Sequence, residues 1–232
     1  PGTNVSFEYG LENAGNIPLH FDLGAAFSPE APPAWQVSPA LESLTLTPYS
    51  NATRRIVVAV PPDARAAEVH SVLIQVSSVE EALTTPLLFV VSVNRVYGWE
   101  LGPPPAPGEG APGDTLSFPF HVRNLGNGRE SVAFSVRRVG GGAEGVYFSV
   151  ENATLLLAPF GDGWATAFAE LRAFASNGSV EAEVIVEPAN SPPLRSTLLA
   201  TVTAVHRVEP QAPARVVLSQ GGSSVTVITL EN

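Results

Sequence analysis

The sequence predicts an all-β chain built as tandem immunoglobulin-like antiparallel β-sandwiches of about seven strands each. Three observations carry this. An internal repeat runs at an offset of 111 residues. It carries Asn13-Ala-Gly-Asn16 onto Asn124-Leu-Gly-Asn127, Leu46-Thr-Pro-Tyr-Ser50 onto Leu157-Ala-Pro-Phe-Gly161, and Leu87-Leu88 with Val91 onto Leu198-Leu199 with Val202. Apolar and polar residues alternate with period two in short runs, and turn-forming residues separate the runs. Helical periodicity is nearly absent; Ala64 to Val69 alone reads as one helical turn.

The repeat divides the 232 residues into four parts. Residues 1–98 form a first sandwich without its opening strand, because Pro1-Gly2 falls at the turn that follows such a strand. Residues 99–111 form a Pro/Gly-rich linker and the opening strand of the next module. Residues 112–208 form the second sandwich. Residues 209–232 form a tail whose Gly221–Asn232 stretch echoes the start of the chain, as the first strand or strands of a third module or as a donor strand.

In the first copy, alternation marks strands at Val5 to Leu11, Leu19 to Leu23, Trp35 to Val37 and Leu44 to Leu46. Further strands fall at Ile56 to Val60, Val72 to Val76 and Leu87 to Val96. The intervening Asn-Ala-Gly-Asn, Pro-Tyr-Ser-Asn and Pro-Pro-Asp-Ala-Arg stretches are turn chemistries. Proline presets φ, and glycine and asparagine tolerate positive φ. The second copy follows with Leu116 to Val122, Val132 to Val136, Val146 to Val150, Thr154 to Leu157, Ala165 to Leu171, Val180 to Val186 and Leu198 to Val208. Seven short strands per hundred residues is the sandwich pattern.

Composition narrows the function. The formal net charge is −10, which opposes contact with nucleic acid phosphates or anionic lipid, so no nucleic acid partner is expected. No apolar run is long enough to insert into a membrane in this segment. With no cysteine there is no disulfide, thiolate metal site or thiol nucleophile. All twelve basic residues are arginine, so no lysine Schiff base forms either.

Chemical motifs are absent. There is no Gly-x-Ser-x-Gly elbow, no His-Glu-x-x-His and no phosphate loop, and no catalytic residue is expected. His20, His70, His121 and His206 lack ligand spacing and read as polar face residues, so no metal or cofactor is expected. Asp114 and Asp162 read as turn formers; a loop Ca²⁺ site would have to draw on Asp162 and backbone carbonyls. Glu80-Glu81 should diverge to opposite faces or lie in a solvated turn. Trp35 stands where sandwiches bury a core aromatic. Tyr97 and Trp99 lie near the module boundary and are expected to pack one module on the next or on a neighbouring chain. Trp164 is expected at an exposed loop end.

Four N-glycosylation sequons begin at Asn4, Asn51, Asn152 and Asn177, at strand ends or turns, with Asn51 and Asn177 placed in loops. In the tail, Val216, Val217, Leu218, Val225, Val227, Ile228 and Leu230 are the residues of a possible donor strand.

Pro-Gly-x-x-Val/Leu-x-Phe, Asn-x-Gly-Asn, Trp35 and Leu-x-Pro before a strand together resemble the CARDB group of cell-adhesion-related domains. They also resemble the accessory domain associated with NPCBM modules. The Pro61-Pro-Asp-Ala-Arg-Ala stretch leading into Val69 to Val76 belongs to the same resemblance. In the second copy Tyr147 sits near the expected tryptophan, and the Pro-x-Asp-Ala stretch is missing. The resemblance implies a seven-stranded immunoglobulin-like fold at the cell surface, without catalytic residues.

The expected function is therefore structural: an extracellular surface protein such as an S-layer, sheath, stalk or filament subunit. It would associate with neighbouring copies, head to tail by strand addition through the tail. An adhesin or carbohydrate-binding accessory segment of a larger surface protein, with glycans as partners, is the alternative.

Overall fold

The computed structural model describes residues 1–205 except 79 and 81, together with the backbone of 209–211 and 229–231. It is all-β. The first sandwich holds β1 (Asn4–Asn13), β2 (Leu19–Phe27), β3 (Gln36–Ser38), β4 (Leu41–Leu46), β5 (Ser50–Ala59), β6 (Val69–Ser78) and β7 (Leu83–Ser92). One sheet has the order β1-β5-β3 and the other β4-β2-β6-β7, all antiparallel. The alternation read from the sequence is the reason. Leu19, Phe21, Leu23 and Ala25 point inward from β2; Val72, Ile74 and Val76 do so from β6, and Ile56 and Val58 from β5. Val5, Phe7, Tyr9 and Leu11 of β1 close the core from the other side, with Phe7 and Phe89 rings 4.8 Å apart.

The second sandwich holds β8 (Trp99–Leu101), β9 (Gly108–Gly110), β10 (Thr115–Asn124), β11 (Glu130–Gly141), β12 (Val146–Glu151), β13 (Thr154–Leu157), β14 (Asp162–Leu171), β15 (Gly178–Pro188) and β16 (Leu194–Val202). Its sheets run β12-β14-β10-β8 and β13-β11-β15-β16-β9. Its core is separate from the first. Phe118 and Phe120, each 1% exposed, anchor it, and burying such a ring stabilises by about 2 to 3 kcal/mol relative to leaving it in water. Residues 99–111 therefore do more than link. β8 pairs with β10 in one sheet, and β9 pairs in parallel with β16 in the other. The Pro103-Pro104-Pro105 stretch crosses between them, where its missing N–H groups cost no ladder bonds. Among the described residues the first sandwich has no counterpart of β8 or β9, and its β7 edge carries no further strand. Two short strands follow, β17 (Glu209–Gln211) and β18 (Thr229–Glu231), paired antiparallel with each other.

Three expectations need correction. Ala64 to Val69 is not helical. The N–H of Ala64 bonds to the Pro61 carbonyl at 3.2 Å and that of Glu68 to the Arg65 carbonyl at 3.3 Å, while Ala67 has φ of 65°. The left-handed residue breaks any helix into two separate turns. The last strand of the first copy stops at Ser92, and residues 93–98 form a strap instead of continuing to Val96.

The repeat offset also drifts. It is 111 through β5: Phe7 pairs with Ile56 as Phe118 pairs with Ala167. Phe21 pairs with Ser78, however, whereas Val132 pairs with Pro188, an offset of 110 for the second partner. Val72 pairs with Phe89 and Ala182 with Leu198, an offset of 109 in the final strand. Val91 and Val93 thus correspond to Ala200 and Val202, all four buried. Small deletions in the loops move the strand along the sequence while the burial pattern holds the register.

Candidate interface between the two modules

The Asn-x-Gly-Asn turn of the second copy is where the two sandwiches are joined. Asn124 ends β10 and is fully buried. Its carboxamide donates to the Gly128 carbonyl at 2.9 Å and the Ala158 carbonyl at 3.0 Å, and accepts from the Gly126 N–H at 2.9 Å. This internal bonding shapes the loop. Asn127 is thereby projected at the first sandwich and is 1% exposed. Its Oδ1 accepts from the Val96 N–H at 2.7 Å. Its Nδ2 donates to the Asn94 carbonyl at 2.9 Å and, at longer range, to the Ala64 carbonyl at 3.4 Å. Its backbone carbonyl accepts from the Ala66 N–H at 2.9 Å, and its own N–H donates to the Val96 carbonyl at 3.2 Å. One residue thus holds both the strap of residues 94–96 and the double turn at Ala64 to Ala66.

Charge and shape fit around it. Arg95 places its guanidinium 2.7 Å from Glu130, a carboxylate only 4% exposed, and also donates to the Arg129 carbonyl. Asn190 donates to the same carboxylate at 3.3 Å. The buried acid is therefore partnered rather than isolated, as its burial requires. Arg95 also lies over the Tyr97 ring at 5.3 Å. A Cβ on Gly126 would fall 2.6 Å from the Val96 carbonyl oxygen, and one on Gly128 2.7 Å from Arg95 Nε. Glycine is needed at Gly126, where the neighbour is backbone, whereas at Gly128 a side chain would displace the Arg95 guanidinium.

The first copy carries the same loop. Asn13 is fully buried and donates to the Ile17 and Thr47 carbonyls at 2.8 and 3.1 Å, and accepts from the Gly15 N–H at 2.9 Å. The Tyr49 N–H donates to the Gly15 carbonyl, as the Phe160 N–H does to that of Gly126. Here Gly15, Asn16 and Ile17 are exposed.

The residues singled out from the sequence separate into distinct places. Tyr97 lies at the junction, 43% exposed. Trp99 packs on the core of the second sandwich, so it belongs to one module's interior. Trp164 is 60% exposed but sits within β14 opposite His121, not at a loop end. Their rings are 4.9 Å apart, and His121 Nε2 lies 2.9 Å from Asp162. That contact, and no turn, is the role of Asp162. The His121 hydrogen bond is the main cause that holds its carboxyl below the ordinary aspartate value. Asp114 does shape a turn, accepting from the Ala111 N–H at 2.8 Å.

Trp35 is a core residue, 6% exposed, and His70 packs against it, the tilted rings 4.2 Å apart, instead of standing free on a polar face. The counterpart of Trp35 is buried Val146. Tyr147 points outward, 55% exposed, beneath Arg172. Sequon residues Asn4, Asn51, Asn152 and Asn177 are all exposed. Asn51 lies inside β5 opposite Glu12, not in a loop; Asn152 sits at a left-handed turn and Asn177 in the loop before β15. Glu80 lies in the turn after β6, accepting from the His20 N–H at 3.2 Å and the Ser78 hydroxyl at 3.0 Å, and Glu81 lies outside the described residues. Of the tail residues, Leu230 lies in β18 opposite Pro210. Val216, Val217, Leu218, Val225, Val227 and Ile228 lie outside the described residues, as does His206. Among the described residues no three His, Asp or Glu side chains gather into a metal-binding group.

No family model matches the sequence, and no curated protein does. Solved structures share features of the fold. A PapD-like domain of human CEP192 is 16% identical over 47% of this chain and 87% of that one, with a TM-score of 0.35. Domains 4 and 5 of the S-layer protein SbsC are 14% identical over 78% of this chain and 70% of that one, with a TM-score of 0.33. The Pseudomonas aeruginosa CupB2 chaperone is 12% identical over 85% of this chain and 92% of that one, with a TM-score of 0.28. At TM-scores of 0.28 to 0.35 these likenesses carry no conclusion about what this chain does.

Proposed function

We propose that this chain is a structural segment of an extracellular surface protein, of the S-layer, sheath, stalk or filament kind, whose task is to hold position and carry out no reaction. The observation that carries the reading is the Asn127 junction. Five hydrogen bonds from one buried residue, with the Arg95–Glu130 ion pair beside them, tie two separately cored sandwiches together. A bonded junction of this kind turns a string of domains into a spacer of defined geometry, whereas an unbonded linker leaves them to swing. Head-to-tail assembly by strand addition fits the same plan. In the second sandwich β8 adds to β10 and β9 adds to β16, so both sheets accept short edge strands, and the tail carries strand-forming sequence. Electron microscopy of the native material tests the reading: regular filaments or lattices support it, and isolated, unordered particles contradict it.

A carbohydrate-binding role has one observation in its favour, the exposed Trp164 indole on the outer face of β14. Retention of the chain on immobilised glycans, lost in Trp164→Ala, would favour it.

A further inference from the structure

Asn127, the residue that ties the two sandwiches together, is followed in the chain by Gly128. That pairing carries a reaction of its own. With no Cβ on the second residue, the Gly128 backbone nitrogen can swing onto the Asn127 side-chain carbon without obstruction. Asn16, at the matching place in the first copy, is followed by β-branched Ile17, which crowds the same approach.

We infer that Asn127-Gly128 is a latent modification site. While the junction is closed the asparagine is held intact; when it opens, the pair converts to aspartate or isoaspartate, and the junction then cannot close again. The inference goes beyond the structural reading above, since it uses the junction alone and does not depend on how copies assemble.

The conversion needs only water. The Gly128 nitrogen gives its proton to solvent base and bonds to Asn127 Cγ; the Cγ–Nδ2 bond breaks and Nδ2 leaves as ammonia. The product is a five-membered imide. Water then adds to one of its two carbonyl carbons and breaks that carbon's bond to the Gly128 nitrogen. Opening at Cγ gives aspartate. Opening at the backbone carbonyl gives isoaspartate, whose main chain runs through the former side chain. In total one water is taken up, one ammonia is released and a neutral residue becomes an anion. Nothing is oxidised or reduced.

The closed junction blocks each requirement. Asn127 is 1% exposed, so solvent base and water are kept out. Its carboxamide is gripped at both ends, Oδ1 2.7 Å from the Val96 nitrogen and Nδ2 2.9 Å from the Asn94 carbonyl oxygen. Turning Cγ to face the Gly128 nitrogen means releasing both. The residue's own N–H and carbonyl are bonded to Val96 and Ala66, which holds the backbone as well. The Arg95 guanidinium lies across Gly128 and is anchored there by Glu130. Conversion therefore proceeds from the opened junction, at a rate set by how often it opens.

The products do not fit back. The Asn94 and Ala64 carbonyls face the amide nitrogen of Asn127. A carboxylate there has no hydrogen to donate and sets negative oxygen against carbonyl oxygen in a site closed to water. Arg95 is already engaged by Glu130. Isoaspartate also adds a carbon to the main chain before Gly128, which shifts the loop against the strap.

The test follows the unglycosylated 232-residue chain in mildly alkaline buffer. Peptide mass spectrometry locates the conversion, and Ala66 amide exchange reads the junction in the same samples. In urea Asn127-Gly128 and the other such pair, Asn177-Gly178, should convert alike. Folded, Asn127 should convert about 30-fold more slowly than in urea, the factor that its two short bonds supply. Arg95→Ala and Gly126→Ala, which open the junction in different ways, should each raise conversion and Ala66 exchange together, by about tenfold or more. In the Arg95→Ala chain a Cβ at position 128 no longer meets the guanidinium, so Gly128→Ala should slow conversion there while Ala66 exchange stays fast. Asn127→Asp, made directly, should show the fast Ala66 exchange of an open junction. Slow Ala66 exchange with conversion as fast as in urea would leave the junction standing and overturn this site. Conversion that does not rise when Ala66 exchange rises overturns it too, as does an Asn127→Asp chain in which Ala66 stays protected.

Discussion

Replacing Asn127 with alanine should undock the two sandwiches without unfolding either. The side chain makes two short bonds, 2.7 Å from the Val96 N–H and 2.9 Å to the Asn94 carbonyl, and a third of 3.4 Å to Ala64 that adds little. At about 1 kcal/mol net for each good bond, and somewhat more for a partner left buried without water, the loss is about 2 to 3 kcal/mol. That is about a 30- to 150-fold fall in the ratio of docked to undocked molecules. Amide hydrogen exchange reads it directly. The Val96 N–H loses its acceptor in the variant and exchanges faster by construction. The Ala66 N–H is the informative probe, since its acceptor is the backbone carbonyl of residue 127, which the substitution leaves in place. Ala66 exchange should quicken by about 30- to 150-fold, while core amides such as those of Ile74 and Val184 keep their protection. Faster exchange at Val96 with none at Ala66 would mean that Asn127 bonds locally and does not hold the junction.

The other expectations concern shape, core and charge. Gly126→Ala puts a Cβ 2.6 Å from the Val96 carbonyl and should cost the junction about 1 to 3 kcal/mol, whereas Gly10→Ala, with open space around it, should leave the junction untouched; inter-module NMR contacts distinguish the two. Phe118→Ala should destabilise the second sandwich by about 3 to 5 kcal/mol and split denaturant unfolding into two transitions, with Trp35 fluorescence reporting a first sandwich that is still folded. In an NMR titration Asp162 should titrate below the ordinary aspartate value. Its stabilising contribution is then present above the unfolded value and fades as pH falls through the folded one. His121→Ala removes the main cause and should bring the midpoint back up; an unmoved midpoint would refute the assignment.

Most of the architecture was legible because it depends on period-two burial. Leu19, Phe21 and Leu23, or Phe118, Phe120 and Val122, declare their faces without help from distant residues. The drift of the repeat was hidden, since Leu198-Leu199 lines up with Leu87-Leu88 in sequence while strand pairing selects a register two residues away. Trp35 and Tyr147 look like counterparts, but burial assigns the position to Val146. The junction was half visible. Asn-x-Gly-Asn and Pro61-Pro-Asp-Ala-Arg-Ala both stood out as turns. That one copy of the first would close on the second is a long-range contact, which no local pattern encodes. The signal that was present is Glu130. An acid in line with inward-facing Val132 and Phe134, where the first copy has Leu19, marked a buried charge in need of a partner.

Residual dipolar couplings measured on both sandwiches of the intact chain ask most directly whether the pair moves as one body. A single alignment tensor fitting residues of both cores, and separating into two in Asn127→Ala, is the expected result. Two independent tensors in the unaltered chain would show a flexible tether and contradict the account.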